Sequence, residues 1–420
     1  MADPAPAAAA LWRDRRFPIL FFLGFAAGVP LPLVAGQVLR QWFAESDLSL
    51  SAIGLTALIG LAYANKFLWS PALDALRPPL LGQRRGWLLL IQLALVVTIA
   101  VVGFSDPRHA PVATALLAAL VAFLSASQDI VVDAYRIEVL GEDDKRQAYG
   151  LAAYVWGYRM ALLASGAGTL LLVAPLGWSG AFLYGAALML VGIAATLLGP
   201  EPARVARAAA GWRARLRASV LEPFLDFMRR PHWLAILLFV ALFKLGEALA
   251  GIMTTPFYRS LGFTREDVAT VATVFGMVAT LGGALVGGWL VGLIGVRRAL
   301  VVTGLGQMLS NLMYVALAGT GHSMPMLWAQ VGVENFTDGL ADAAFLTWLS
   351  ALTSRSFTAT QYALLSSLAA VPLRTLGASS GWLAEAMGWP GFFLLTTAAA
   401  LPAMGIMAWL LWRLPEARRG

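Results

Sequence analysis

Long apolar runs, separated by short polar stretches, recur along nearly the whole chain. A helix needs about 20 mostly apolar residues to cross a bilayer, and twelve runs approach or exceed that length. The first six are Phe17–Leu39, Leu50–Leu73, Trp87–Phe104, Val112–Tyr135, Tyr149–Ala174 and Ala181–Leu198. The second six are His232–Phe257, Val268–Ile294, Ala299–Gly319, Met324–Leu352, Gln361–Met387 and Gly391–Trp412. The pattern predicts an all-α polytopic membrane protein with twelve transmembrane helices, numbered here as spans 1 to 12.

The polar stretches predict five parts along the chain. These are a tail over residues 1–16, a six-helix bundle over 17–198, a linker over 199–231, a second six-helix bundle over 232–412 and a tail over 413–420. The arginines of the linker fit either an amphipathic helix on the inner leaflet or a solvated tether.

Polar positions repeat between the two halves at a nearly constant offset. Ser49 and Thr264 precede spans 2 and 8 at an offset of 215, and Arg84-Arg85 and Arg297-Arg298 precede spans 3 and 9 at an offset of 213. Arg159 before Ser165-Gly166 matches Arg374 before Ser380-Gly381, again at 215. The repeat predicts a 6+6 duplication, which is typical of transporters with a site near the bilayer midplane.

The composition narrows the class of protein further. Of 420 residues, 59% are hydrophobic and 13% are charged, whereas a soluble domain has about 25% charged residues. Soluble enzymes and disordered chains are therefore excluded, and the absence of cysteine excludes a disulfide scaffold. Three dispersed histidines predict no metal site, and the missing Gly-x-x-x-x-Gly-Lys motif predicts no nucleotide-driven pump.

The 30 cationic residues orient the predicted spans. If both ends lie in the cytoplasm, 22 of them fall in cytoplasmic segments and four on the opposite side. Cytoplasmic loops of membrane proteins are rich in Lys and Arg, so the sequence predicts a multi-pass protein with both termini in the cytoplasm. The net charge of +7 is thereby explained without a nucleic-acid partner.

Few charges remain inside the spans, and a charge at the bilayer centre costs about 2.5–3.5 kcal/mol on insertion scales. The candidates for proton coupling or gating are Asp129, Asp133 and Arg136 in span 4, Lys244 and Glu247 in span 7, and Glu334, Asp338 and Asp342 in span 10. The acids recur every four residues and so share a helix face. Salt-bridge alternatives stay open: Asp133 with Arg136, Lys244 with Glu247, and the acids of span 10 with Lys244 or Arg374.

The loop between spans 2 and 3 carries an acid followed by a basic cluster. This resembles the cytoplasmic loop signature of the major facilitator superfamily, although four residues, 78–81, are inserted before Gly82. The resemblance implies a conformational latch formed by Asp74, Arg84 and Arg85. It also implies the twelve-helix fold of that superfamily.

Several motifs together resemble the AmpG-type muropeptide permeases. They are Phe67–Pro71 with Asp74, Arg84–Trp87, Ser127–Arg136, Gly157-Tyr158-Arg159 and Leu261-Gly262-Phe263. The resemblance implies a transporter rather than an enzyme. It implies proton-driven import of anhydromuropeptides from the periplasm through the inner membrane, for cell-wall recycling and β-lactamase induction. Related acetyl-CoA transporters share part of the pattern, so an acetyl-CoA-like metabolite, a peptide or a drug is the alternative solute.

A muropeptide presents sugar rings, amides and carboxylates. The expected substrate-binding residues are Gln37, Lys66, Gln128, Trp156, Tyr158, Arg159, Asn335 and Arg374. Arginine forks onto carboxylates, so Arg159 and Arg374 are expected to bind the substrate or to pair with Asp129 or Asp338. Lys66 could instead snorkel to the interface. The partners expected are this small molecule, protons and membrane lipid, with no cofactor, for a monomeric protein.

Overall fold

The computed structural model describes residues 14–141, 144–202, 225, 228–229, 231–351 and 374–413. Within these ranges the regular structure is helical throughout, with no strand. The predicted linker and the first part of span 11 lie largely outside the described residues, as do most of both predicted tails.

The spans of the first half begin and end close to the predicted positions, but two of them are interrupted. Span 1 consists of Arg16–Gly28, Pro30–Val34 and Gln37–Glu45, and span 2 of Leu50–Leu55, Thr56–Gly60, Leu61–Ala64, Lys66–Leu68 and Ser70–Ala75. Spans 3 and 4 are continuous over Gln83–Phe104 and Pro111–Leu140. Spans 5 and 6 follow one another through Asp144–Ala161, Leu162–Ala167 and Gly168–Leu198.

The second half repeats this mixture of continuous and interrupted helices. Span 7 consists of Trp233–Leu242 and Leu245–Ser260, and span 8 of Arg265–Asp267, Val268–Phe275 and Gly276–Ile294. Span 9 consists of Val296–Ser310 and Leu312–Thr320, and span 10 is Met324–Ala351. The described end of span 11 and all of span 12 lie in Ser380–Ala399 and Leu401–Arg413.

Eight helical stretches in the described residues are long and apolar enough to cross a membrane. One of them, residues 150–198, contains both span 5 and span 6, and the stretch from Ser380 to Arg413 contains the end of span 11 together with span 12. Span 10 has the length but carries three acids, and the first half of span 2 is shorter. All or part of every predicted span is therefore present.

The chain folds into two compact units. Unit 1 comprises Met1–Asp47 and Asn65–Ala208, and unit 2 comprises Leu48–Ala64 and Ala209–Gly420. The first half of span 2 thus packs in unit 2. Its contact with span 11 is close, since a Cβ on Gly381 would lie 2.0 Å from the Leu50 carbonyl oxygen. The division of the chain at the linker stays a prediction.

Unit 1 is held together by close packing of spans 1 and 5. A Cβ on Gly24 would lie 2.2 Å from the Tyr154 carbonyl oxygen, and one on Gly157 would lie 1.9 Å from the Phe21 carbonyl oxygen. Small residues allow such backbone approach between helices in lipid. Glycine at these two positions therefore allows the backbones of spans 1 and 5 to come together.

In unit 2, glycines allow the same close packing between spans 8 and 10. A Cβ on Gly283 would lie 2.0 Å from the Phe336 carbonyl oxygen, and one on Gly339 would lie 2.1 Å from that of Thr280. A separate buried cluster joins spans 7, 9, 10 and 12 and includes Phe239. Its aromatic rings stack closely, as Phe243 does on Phe345 at 4.7 Å between centroids.

Two pairs of chain features repeat between the halves. Ser49 caps the start of span 2, where its hydroxyl accepts a hydrogen bond from the Ala52 amide at 3.2 Å, and Thr264 forms a capping box at the start of span 8. The chain reverses direction at Gly177, with φ 67°, between spans 5 and 6. It does so again at Gly388, with φ 66°, between spans 11 and 12. A positive φ favours glycine, since it lacks a Cβ.

The loop between spans 3 and 4 lies outside the membrane-spanning segments. The His109 ring Nδ1 lies 2.6 Å from an oxygen of Asp106. This hydrogen bond, with a further one from the Arg108 amide, lowers the pKa of the Asp106 carboxyl.

Candidate functional sites in the two units

A lysine surrounded by carboxylates lies at a break in span 7 of unit 2. The helix stops at Leu242 and resumes at Leu245, and Lys244 has the non-helical angles φ −103° and ψ 15°. Its Nζ lies 3.0 Å from Glu247, 2.7 Å from Asp338 and 2.5 Å from Asp342. The local contact with Glu247 and the alternative pairing of span 10 with Lys244 are therefore both present.

Polar groups from two more positions complete this cluster. The Gln307 amide of span 9 donates to Glu247, and also to Asp338 at 3.2 Å. One turn earlier in span 10, Asn335 donates to Glu334 at 2.8 Å and accepts a hydrogen bond from Thr280 of span 8 at 3.2 Å. Spans 7, 9 and 10 thus supply the Lys244 cluster, and spans 8 and 10 supply the set around Asn335.

The charges of the cluster do not cancel. One ammonium faces the carboxylates of Glu247, Asp338 and Asp342, so the fully ionised set carries a formal charge of −2. Like charges held together in a medium of low dielectric constant repel strongly. The cluster therefore holds an excess of negative charge in the interior of unit 2.

Unit 1 contains a second and looser set of charges, on spans 2 and 4. The Lys66 Nζ lies 3.8 Å from an Asp129 oxygen, and Arg136 lies 3.8 Å from Asp133. The other Asp129 oxygen is buried and has no hydrogen-bond partner among the described residues. Lys66 is thus within ion-pair distance of Asp129 instead of extending freely to the interface.

Gln128, next to Asp129, is fully buried. Its exposed fraction is 0%, and neither amide atom has a hydrogen-bond partner in the described part of the chain. The neighbouring Ser127 hydroxyl accepts a hydrogen bond from the Trp69 indole at 2.9 Å. Direct contact between Gln128 and a substrate would therefore require span 4 or its neighbours to move.

In contrast to Gln128 in span 4, the polar and aromatic side chains predicted to bind substrate in span 5 are accessible. Arg159 is exposed, Trp156 is 61% exposed, and Tyr158 is half-buried with its ring 6.2 Å from that of Tyr154. Arg159 makes no hydrogen bond or ion pair with another described residue. Asp129 and Asp338, the expected internal partners of the arginines, instead lie next to Lys66 and Lys244.

The other two predicted binding residues lie in different units. Gln37 begins the last helix of span 1, in unit 1, after a break at Gly36. Arg374 lies against Gly60 in unit 2, where a Cβ would be 1.7 Å from its guanidinium. Gly60 therefore leaves the space that the arginine occupies.

The predicted latch residues make a compact set of contacts inside unit 1. Both nitrogens of the Arg84 fork donate to Glu138, at 2.9 and 2.7 Å. The Arg85 side chain donates to the carbonyl oxygens of Thr196 and Leu197, each at 2.8 Å, at the end of span 6. Asp74 lies in the helix Ser70–Ala75, and its side chain is outside the described residues.

Sequence reasoning missed three polar partners in these sets. Gln307 belongs to the Lys244 cluster, Glu138 pairs with Arg84, and Glu201 accepts the amides of Arg84 and Arg85 at 3.0 and 3.1 Å. An amide inside an apolar run could have drawn attention to Gln307. The partners of Arg84 depend on how spans 3 and 4 are aligned, which the sequence does not specify.

The fold and these intramembrane charges are those of a transporter, and comparison with known families agrees. A Major Facilitator Superfamily profile matches residues 16–378, so the chain belongs to that superfamily. The members compared below are transporters and not enzymes, and they bind small molecules as substrates.

Within the superfamily, the chain is similar to permeases of the AmpG type. It is 41% identical to the anhydromuropeptide permease of Escherichia coli K12, over 94% of this chain and 79% of the relative. It is 33% identical to the transporter AmpG 4 of Rickettsia conorii, over 95% of this chain and 97% of the relative. A crystal structure of a POT family transporter shares the fold, with a TM-score of 0.71 and 14% identity over 96% of each chain.

Proposed function

We propose that this protein imports anhydromuropeptides from the periplasm into the cytoplasm by proton symport, serving cell-wall recycling and β-lactamase induction. It would act as a lipid-embedded monomer in the bacterial inner membrane, with both termini in the cytoplasm. The substrate is proposed because the Escherichia coli relative, similar over 94% of this chain, is an anhydromuropeptide permease.

The observation that carries the proposal is the accessible arginine of span 5. Arg159 is exposed and has no partner among the described residues, although it lies within a transmembrane helix. A charge facing lipid is costly, so intramembrane arginines face water-filled cavities or partners. Trp156, three residues earlier, lies on the same helix face. Arg159 could bind a carboxylate of the peptide, and the Trp156 indole could pack against a sugar ring. These are the two ends of a muropeptide.

Proton coupling is supported by the two sets of carboxylates. Asp129 has one unpartnered oxygen and a cation 3.8 Å away, with Asp133 one helical turn farther along span 4. A proton on Asp129 would remove its attraction to Lys66 and so favour a different arrangement of spans 2 and 4. The Lys244 cluster, with its excess of carboxylates, is the second place where a proton could be held.

Uptake into proteoliposomes tests the substrate. We expect labelled anhydromuropeptide to accumulate when the lumen is alkaline and the outside acidic. Arg159→Gln should reduce uptake by about 10- to 10²-fold, because a charge-assisted hydrogen bond to a substrate carboxylate contributes about 1.5–3 kcal/mol. Arg159→Lys should retain part of the activity.

The matched control is Arg108→Gln, which removes an arginine from the loop between spans 3 and 4. Its guanidinium contacts only the Glu45 carbonyl oxygen, at 3.2 Å, among the contacts described for it, and its uptake should stay near that of the wild type. Equal uptake by Arg159→Gln and the wild type would refute the assigned site. A competition panel of acetyl-CoA, peptides and drugs separates the alternative solutes.

The coupling is tested separately by Asp129→Asn. We expect this variant to exchange substrate across the membrane but not to accumulate it in response to a pH gradient. Asparagine has no carboxyl group that can take up and release a proton. Normal gradient-driven accumulation by Asp129→Asn would show that another group carries the proton. If uptake by the wild type does not depend on the pH gradient, proton symport is refuted.

A further inference from the structure

The first half of span 2 lies against the described end of span 11, within unit 2. The first amides of a helix have no partner inside that helix. At the start of span 2, the Ser49 hydroxyl accepts a hydrogen bond from the Ala52 amide at 3.2 Å. The Glu385 carboxylate of span 11 accepts one from the Ser51 amide at 2.9 Å. Span 11 therefore completes the cap of span 2.

Next to this cap the two spans meet backbone to backbone. A Cβ on Gly381 would lie 2.0 Å from the Leu50 carbonyl oxygen, and one on Gly54 would lie 2.9 Å from the carbonyl oxygen of residue 378. The larger side chains that follow these glycines, Leu55 and Trp382, are 43% and 49% exposed. This contact, named here the seam and formed by residues 50–54 and 378–385, therefore depends largely on small residues and backbone.

The seam also contains a polar group that has no partner. Ser380 lies between Ala378 and Gly381, both of which contact span 2. Its residue is 0% exposed, and its hydroxyl makes no hydrogen bond with another described residue. A buried hydroxyl without a partner destabilises the contact that buries it, whereas water would supply partners. Separation of the two spans at the seam would relieve this cost.

The second part of span 2 is attached to unit 1 instead. The Trp69 indole donates to Ser127 of span 4 at 2.9 Å, and its ring lies 4.8 Å from that of Phe123. The chain passes from unit 2 to unit 1 between Ala64 and Asn65, and Asn65 has the non-helical angles φ −103° and ψ 10°. Because one span is attached to both units, a movement of either unit must bend the span or break an attachment.

We propose that the seam is a clasp which the Glu385 carboxylate holds closed and which separates during the transport cycle. It is the more easily separated attachment of span 2, because it depends on backbone contacts, one exposed carboxylate and a buried hydroxyl without a described partner. Glu385 is a positioning residue, since it acts through span 2. The inference rests on the proposed function, whose topology puts the seam at the periplasmic side, where it would control entry of the solute.

Cysteine labelling measures the opening of the clasp, because the protein has no cysteine of its own. Ser380→Cys is made alone and together with Glu385→Ala or Glu385→Gln. The rate of its reaction with a maleimide is measured in the purified full-length protein. We expect Glu385→Ala to raise this rate about 3- to 10-fold, since one hydrogen bond contributes modestly to stability. Glu385→Gln keeps an oxygen that can accept the Ser51 amide and should give an intermediate rate.

Two controls separate the clasp from a general loosening of the protein. Glu266→Ala removes another exposed acid, near the start of span 8, whose carboxylate makes no hydrogen bond or ion pair with a described residue. It should leave the labelling of Ser380→Cys unchanged. Thr396→Cys places a thiol at a position in span 12 that is 0% exposed, and it should stay unreactive with or without Glu385→Ala.

Three labelling results would overturn the inference. If Ser380→Cys stays unreactive even with Glu385→Ala, the seam is a permanent contact. If Ser380→Cys reacts equally fast with and without Glu385→Ala, this carboxylate does not hold the seam closed. If Thr396→Cys also reacts faster with Glu385→Ala, the variant loosens the whole of unit 2.

A second measurement does not depend on Ser380. Ser51→Cys combined with Glu385→Cys is bridged by a short reducible thiol crosslinker in proteoliposomes. Bridging should abolish uptake of labelled anhydromuropeptide, and reduction of the crosslinker should restore it, whereas unchanged uptake by the bridged protein contradicts the clasp. If the wild type takes up no anhydromuropeptide, the proposed substrate fails, and the labelling experiment, which needs no substrate, still decides the inference.

Discussion

Arg84 is almost completely buried although it is charged. Its side chain is 3% exposed, and its guanidinium forks onto Glu138, which is 15% exposed. Burying two charges is favourable only when the geometry of the pair is good, and removal of one partner leaves the other buried without compensation. The pair therefore ties span 3 to span 4 more firmly than an exposed ion pair would.

We expect Arg84→Ala to lower the free energy of unfolding by about 3 kcal/mol, because Glu138 then stays buried without its partner. The measurement is the Tm of the purified protein. Arg84→Met combined with Glu138→Leu should be less destabilised than Arg84→Ala, since no unpaired charge remains. If the double variant is at least as unstable as the single one, the ion pair itself supplies the stability.

The contacts of Lys244 illustrate which side-chain partners a sequence can predict. Its contact with Glu247 follows from a spacing of three residues, because such residues are neighbours on a helix. Asp338 is 94 residues away, and several acids and cations could have been paired with one another. The choice among them depends on the register of spans 7 and 10, which hydropathy does not specify.

Close packing of helices governs how the spans of unit 1 assemble. Spans 1 and 5 approach so closely at Gly157 that its backbone nearly touches the Phe21 carbonyl oxygen, and a Cβ there would lie 1.9 Å from it. We expect Gly157→Ala to destabilise the protein by about 1–3 kcal/mol, because the two backbones must separate. Thermal unfolding in detergent measures the effect.

Gly288→Ala is the matched control for this prediction. Gly288 also lies inside a transmembrane helix, but nothing in the described part of the chain is within 4 Å of a Cβ placed there. Alanine has a higher helix propensity than glycine by about 1 kcal/mol, so this variant should be unchanged or slightly stabilised. Equal destabilisation of both variants would mean that helix packing is not the cause.

The start and end of a helix were easier to predict than its interruptions. Ser49 and Thr264 were expected to open spans 2 and 8, and both are N-caps in the structure. The break at Lys244 was not predicted, since it contains no proline or glycine pair. The last break of span 2, at Trp69, was not predicted either, although Pro71 follows it. They are stabilised by tertiary contacts, which no local pattern reports.

The arrangement of the chain across the bilayer can be tested because the protein has no cysteine. A single introduced cysteine can therefore be labelled without background. We expect His109→Cys, at a side chain that is 85% exposed, to react with a membrane-impermeant maleimide added to intact spheroplasts. Pro79→Cys, in the exposed loop between spans 2 and 3, should react only after permeabilisation. The reverse labelling pattern would invert the predicted topology.

The twelve-helix architecture was predictable because it depends on apolar length and on the distribution of arginine, which are properties of the chain alone. Which segments make up each unit was not predictable. Leu48–Ala64 belongs to the first half by sequence, but its contacts place it in unit 2. The roles of the site residues, such as Arg159, stay predictions. What the structure adds is which of them have partners.

The abrupt reversals at Gly177 and Gly388 have a practical consequence for reagents that recognise the protein. At each of them two helices meet at a single glycine with positive φ, so no loop projects beyond the helix ends. An antibody or other binder needs a protruding or concave epitope, and these turns offer neither. Affinity reagents selected against the folded protein should therefore favour broader loops, such as the one that carries His109.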